Sequence, residues 1–334
     1  MKVAILAPVA WRTPPRHYGP WEQVASNIAE GLVKLGVDVS LFATGDSVTA
    51  GKLFSICDKG YEEDRTQDAK VLECLHISNL MERADDFDII HNNFDFLPLT
   101  YSGLIKTPVI TTIHGFSSPK IIPVYKKYNA GGHYVSISNS DRSDQLKYLA
   151  TVYNGLNTAH FEFNNSPGDY LLYFGRIHHD KGTAGAIEIA KKSNRQLLIA
   201  GLIQDADYFN TQIKPQLNDQ IQYLGNAESC KRKELLGNAY ALLHPINFNE
   251  PFGMSVAEAM LCGTPVIAFN RGSMPELIKH QKTGFLVNNI NEAVEAVTQI
   301  SEIKRIDCHE WASSQFSSDK MVADYLGLYQ QILG

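Results

Sequence analysis

A chain of 334 residues is about twice the length of a typical domain, so two domains are the expectation. Hydrophobic residues at 44% and charged residues at 20%, without a low-complexity tract, exclude a disordered scaffold. A net charge of -6 argues against a general nucleic-acid binder, which needs a basic surface, and leaves room for a local phosphate site. Five cysteines, Cys57, Cys74, Cys230, Cys262 and Cys308, are scattered, odd in number and lack a C-x-x-C pair. They read as reduced thiols of a cytoplasmic protein rather than a disulfide frame or a zinc site.

The opening run from Met1 to Ala10 has a basic residue and a short apolar stretch, as a secretory signal does, but Pro8, Trp11 and Arg12 interrupt it. A first buried strand over Val3–Leu6 fits better. An amphipathic helix over Trp21–Leu35, stopped by Gly36, leads to a strand over Asp38–Ala43, which makes a β-α-β unit. Short apolar runs at Asp88–His91, Val109–His114 and Tyr134–Ile137 extend the series as buried parallel strands. The turn-rich stretch Tyr153–Asn157 reads as a hinge.

The plan restarts at Tyr170–Gly175, followed by a helix over Ala184–Lys192 and strands at Gln196–Ala200, Ile221–Leu224, Ala241–Leu243 and Val266–Ala268. Asp319–Leu333 closes the chain as an amphipathic helix, with Met321, Tyr325, Leu328 and Ile332 at helical spacing. No run reaches the roughly 18 apolar residues needed to span a bilayer. Two alternating series imply an α/β protein of two Rossmann-like domains with parallel sheets, facing across a cleft into which the carboxyl ends of the strands open.

Between the last two of these strands, the string Asn249-Glu250-Pro251-Phe252-Gly253-Met254-Ser255-Val256-Ala257-Glu258 sets two carboxylates around a glycine turn that opens a short helix over Ser255–Leu261. The free amides near Gly253, Met254 and Ser255 and the positive end of the helix dipole suit phosphate oxygens. Glu250 before the turn and Glu258 one turn inside can reach opposite ends of one ligand, each accepting hydrogen bonds from sugar hydroxyls. Ser255-Val256-Ala257-Glu258 equally fits a capping box that satisfies the helix terminus. Arg176 and Lys181, in Gly175-Arg176-Ile177-His178-His179-Asp180-Lys181-Gly182, read on spacing alone as solvated cations of a strand-to-helix loop. The adjacent His178 and His179 diverge on a regular backbone, so they carry no assigned role and no metal pair.

The string from Glu250 to Ala268 resembles the E-x7-E signature of retaining glycosyltransferases of family 4, and Gly175–Gly182 resembles that family's Gly-Arg-x-x-x-x-Lys-Gly motif. Asn154-Gly155-Leu156-Asn157 and Gly272-Ser273-Met274-Pro275-Glu276 match as well, so the resemblance covers nearly the whole chain. It implies the GT-B architecture, with an N-terminal acceptor-side domain of residues 1–153 completed by a crossover helix at 317–334, and a nucleotide-sugar domain of residues 154–316. It implies a retaining hexosyltransferase in which Arg176 and Lys181 hold the diphosphate with the amides of Gly253, Met254 and Ser255. Glu258 then takes the ribose, Glu250 the sugar hydroxyls, and Phe252 lines the donor site. His114, at a strand end before Gly115, corresponds to the family's histidine against the donor sugar.

Pro14 to Glu22 resembles the family's Tyr-Gly-Gly-x-Glu loop, with Pro20 in place of the second glycine. Gly19 still has room to approach a phosphate or acceptor, whereas Pro20 removes one amide donor. That departure resembles a subgroup containing antibiotic-pathway sugar transferases. No cofactor or metal is implied: the donor is a UDP- or GDP-sugar and the second partner a hydroxyl acceptor. A metal-dependent transferase using Asp86-Phe87-Asp88 with Asp95, a glycan phosphorylase, and a non-catalytic nucleotide-sugar sensor are the alternatives. A dehydrogenase lacks a G-x-G-x-x-G after a leading strand. Lys120, Lys126 and Lys127 form either a solvated face or the edge of a peripheral membrane contact.

Overall fold

Apolar runs without the alternation of a half-exposed strand become the strands of two parallel sheets. The computed structural model describes residues 1–16, 19–116, 118–226 and 229–334, without the side chains of Ser229 and Cys230. The chain divides into two units, Met1–Leu156 with Ser318–Gly334, and Asn157–Ser317.

The first unit holds strands β1 (Lys2–Leu6), β2 (Asp38–Phe42), β3 (Lys52–Phe54), β4 (Ile89–Asn92), β5 (Val109–Ile113), β6 (His133–Ser136) and β7 (Ala150–Thr151), with helices α1 (Pro20–Lys34), α2 (Ala69–Met81) and α3 (Ile122–Tyr128). They form one sheet in the order β3-β2-β1-β4-β5-β6-β7, every neighbouring pair parallel. Successive side chains of a strand point to opposite faces, and β1 shows what this does to the core. Val3 and Ile5 pack on one face with Val24, Ile28 and Leu32 of α1 and with Met321, Val322, Tyr325 and Tyr329 of the C-terminal helix, Ser318–Leu333. Ala4 and Leu6 pack on the other with Leu72, Ile77, Leu80 and Met81 of α2.

Polar bonds also tie that last helix to the sheet. Buried His91 of β4 lies 2.6 Å from the Tyr329 hydroxyl and 2.7 Å from Thr112 Oγ1, and Thr112 Oγ1 lies 2.7 Å from the Tyr325 hydroxyl. Burial lowers the His91 pKa to about 3, so the ring is neutral and serves as both donor and acceptor.

The second unit holds β8 (Leu171–Phe174), β9 (Leu197–Ala200), β10 (Ile221–Tyr223), β11 (Ala241–His244), β12 (Val266–Phe269) and β13 (Gly284–Val287). Its helices are α4 (Thr183–Lys192), α5 (Ala206–Tyr208), α6 (Ser229–Asn238), α7 (Met254–Leu261), α8 (Met274–Leu277), α9 (Ile290–Gln299) and α10 (Arg305–Gln315). The sheet runs β10-β9-β8-β11-β12-β13, again parallel throughout. Strand order reverses between β8 and β11, the position where open α/β sheets leave a crevice beyond the carboxyl ends of their strands. Buried Arg305 fastens α10 beneath, donating to the carbonyls of Asn164, Gly237 and Ala239 and to Thr264 Oγ1 at 2.6–3.0 Å. Among the described residues no helix is long and apolar enough to cross a membrane.

Candidate active site

The loops that leave β8 and β11 meet at this reversal, and each brings a charge. Lys181 Nζ lies 2.5 Å from Glu250 Oε2, with the two side chains only 14% and 12% exposed, and the ammonium sits 4.6 Å from the centre of the Phe248 ring. His244, the last residue of β11, places Nε2 3.8 Å from the same carboxylate oxygen, and that nitrogen has no hydrogen-bond partner. Burial drives the His244 pKa down to about 4, against the pull of Glu250 and with the push of Lys181, so the ring is neutral.

The main chain around this pair is fixed. Asn247 donates its backbone N–H to Asp180 O at 2.7 Å and Nδ2 to His179 O at 3.2 Å, while Ser273 N donates to Glu250 O at 3.0 Å. Gly182, at φ +74°, lets the loop turn into α4, and a Cβ there would run into the Pro245 carbonyl.

α7 begins at Met254 behind Gly253, whose φ of +97° and lack of a side chain leave the helix without a side-chain cap. The capping box does not form. The first N–H groups, those of Met254 and Ser255, have no partner inside the helix. Glu258 turns instead to Arg232 of α6: Nε donates to Oε2 at 3.1 Å and Nη2 to Oε1, with the Glu258 side chain 3% exposed. The ring of Phe252 packs inward, edge-on to Phe316 at 5.7 Å, as a core residue does. Arg176 is partly exposed, its guanidinium on Gln204 Oε1 and its carbonyl accepting from the Tyr173 hydroxyl at 2.9 Å.

His178 and His179 do not diverge. His178 is extended, at φ -150° and ψ 150°, and His179 starts a tight turn, which swings the two rings to 4.2 Å between centroids. Expectation of a regular backbone was the error. A ring nitrogen of each and a carboxylate oxygen of Asp205 lie within 4.8 Å of one another.

In the first unit His114 ends up buried just beyond β5. Its Nε2 donates to Asn93 Oδ1 at 3.1 Å, its ring stacks on Trp21 at 5.5 Å, and Nδ1 has no partner. Burial lowers its pKa to about 3, so Nδ1 carries a lone pair at neutral pH. Gly19 caps α1 at φ +151°, packed on Pro15 and Glu22. Burial raises the Glu22 carboxyl to about 7 against a hydrogen bond from the Trp11 amide. Tyr18 of the same loop lies outside the described residues. Asp88 accepts from Lys2 N at 2.7 Å before β4 and Asp95 from the Tyr125 hydroxyl at 2.7 Å after it. These aspartates therefore sit at opposite ends of one strand and do not converge.

Sequence reasoning missed His244 and Arg232. His244 could have been found by the rule applied to His114, a histidine at the carboxyl end of a strand; nothing in Lys231-Arg232-Lys233 points to Glu258.

Residues 156–315 match the family model "Glycosyl transferases group 1" and residues 21–160 match "Glycosyltransferase Family 4". An uncharacterized glycosyltransferase of Methanocaldococcus jannaschii is 23% identical, over 86% of this chain and 85% of its own. Two others among the curated relatives are matched over 46% and 36% of their length. Among solved structures, AviGT4, a glycosyltransferase involved in avilamycin A biosynthesis, superposes with a TM-score of 0.74 at 20% identity, covering 100% of this chain and 98% of that one. Anabaena HepE, solved with UDP-glucose, gives 0.73 at 18% identity over 99% and 100%. The two glycosyltransferase family models thus lie one after the other along the chain, each on one parallel-sheet α/β unit, and the chain has the GT-B fold.

Proposed function

We propose that the protein is a hexosyltransferase that moves a hexose from a nucleoside diphosphate sugar to an acceptor hydroxyl, with retention and without a metal. The observation that carries this reading is the Lys181–Glu250 pair set before the unpartnered amides of α7. A diphosphate offers both what they lack: its oxygens take the ammonium and the amides. Glu250, released from Lys181, then accepts hydrogen bonds from sugar hydroxyls, and Arg176 exchanges Gln204 for a phosphate oxygen. Glu258, held in place by Arg232, shares its remaining lone pairs with the ribose. In the first unit, neutral His114 offers Nδ1 to a sugar hydroxyl.

In the step itself the bond between the anomeric carbon and the leaving phosphate oxygen breaks, and the acceptor oxygen bonds to that carbon from the same face. The acceptor proton goes to the departing phosphate. Arg176, Lys181 and the α7 amides stabilise the charge that gathers there, which no carboxylate could do. UDP-glucose is the first donor to test because it was bound in the HepE structure. The location consistent with such a donor is the cytoplasm.

A panel of UDP- and GDP-hexoses, tested for binding and slow hydrolysis in EDTA with the product anomer followed by NMR, decides the matter. Release of the nucleotide with a retained anomer is expected. An inverted anomer, or turnover abolished by EDTA and restored by Mg2+ or Mn2+, overturns the proposal.

A further inference from the structure

We propose that His178, His179 and Asp205 form a binding site for one divalent transition-metal ion of the zinc, cobalt or nickel class, distinct from the groups assigned to sugar transfer. Among the described residues these three are the cluster of His, Cys, Asp or Glu side chains whose ligand atoms converge within 4.8 Å. His179 Nδ1 and Asp205 Oδ2 are 3.4 Å apart. Two ligands bound about 2.0–2.1 Å from a tetrahedral ion stand roughly 3.3 Å from each other, so this spacing fits an ion between them. Two imidazoles favour a borderline-soft transition metal over Mg2+ or Ca2+, which take oxygen ligands.

Asp180 supplies the orienting carboxylate that metal-bound histidines need. Its Oδ1 contacts Nδ1 of His178 and lies 3.5 Å from Nε2 of His179, while Nδ1 of His179 is turned to Asp205. Asp205 is likewise fixed: Oδ1 accepts from Tyr208 N at 2.9 Å, and Oδ2 faces His179. The His179 side chain is 68% exposed, which gives an ion a way in from solvent. An ion held here joins the β8 loop to the start of α5.

The test uses the full chain, stripped with a chelator and titrated with Co2+ and Zn2+ by calorimetry, with Co2+ absorption reporting geometry. One equivalent should bind, with intense tetrahedral Co2+ bands and a rise in Tm. Loss of an orienting carboxylate alone typically weakens a site by 10- to 100-fold, so H179A and D205N should each weaken binding at least about 10-fold. C74S, which removes an exposed thiol elsewhere, should leave it unchanged. H179A is at a mainly exposed side chain, and an unchanged melting curve without metal will show that it folds. No binding at millimolar Zn2+, or equal affinity in wild type and H179A, overturns the site and leaves a cluster of His–Asp hydrogen bonds only.

Discussion

Replacing Lys181 with Met separates what the Lys181–Glu250 pair does for folding from what it does for transfer. At 2.5 Å and an effective dielectric near 20, the gross attraction is about 7 kcal/mol. Desolvation of two ions costs several kcal/mol each, so the pair as a whole contributes little net stability. K181M removes only one side of that balance. It leaves Glu250, 12% exposed, beside a neutral His244 with no cation in contact, which should cost about 3–5 kcal/mol. For a unit of this size that corresponds to a fall in Tm of roughly 6–20 °C. K181M/E250Q removes both charges and should return to within about 1 kcal/mol of wild type. Neither variant should turn over a nucleotide sugar. Urea unfolding of the three proteins, run beside donor hydrolysis, reads both effects. The reasoning fails if K181M is as stable as wild type, or if the double variant is no more stable than the single one.

His244→Phe, which removes the Nε2 facing Glu250, should lower kcat by on the order of 10- to 100-fold with UDP affinity little changed, whereas H244Q, which keeps a donor there, should stay within a few-fold. Gly182→Ala should cost more than about 2 kcal/mol by urea unfolding, since it combines a left-handed backbone with contact on the Pro245 carbonyl. Buried His76, His91 and His114, lowered from 6.5 to about 4, 3 and 3, are neutral when folded and take up protons on unfolding. Their stability is whole above pH 6.5 and is lost as pH falls towards 4, by up to about 1.4 kcal/mol per pH unit for each ring, and H76Q should flatten that limb. Glu22 runs the other way: raised from 4.5 to about 7, its contribution is present below pH 4.5 and lost as pH rises to 7, so E22Q should remove the loss over that interval in a pH series of unfolding curves.

Elements whose residues are buried on both faces were legible, because a continuous apolar run such as Val3–Leu6 leaves few other fates. β3 was not, since Lys52 and Leu53 are exposed at a sheet edge and carry no burial pattern. α2 escaped because Val71 and Leu75, 55% and 51% exposed, blur its apolar stripe. At the site, motif spacing singled out Lys181, Glu250 and Glu258 but not His244 beside Glu250 or Arg232 on Glu258. The Arg232–Glu258 contact joins residues from two helices whose approach is set by packing, and no local pattern encodes it. The histidine pair shows the reverse: its spacing was plain, but its direction depends on the step from an extended His178 into the tight turn that begins at His179.

The first unit is split in sequence by the second, and this orders its synthesis. Met321, Val322, Tyr325 and Tyr329, with the hydroxyls that meet His91 and Thr112, leave the ribosome only after all of Asn157–Ser317. At about 5–20 residues per second that delay is roughly 10–30 s. Throughout it the part of the sheet face that the last helix covers stays open and His91 lacks the Tyr329 hydroxyl, whereas the second unit has every element it needs as soon as Ser317 is made. A stalled or clipped chain therefore loses the unit made first, and a nascent chain in this interval is what a chaperone would meet.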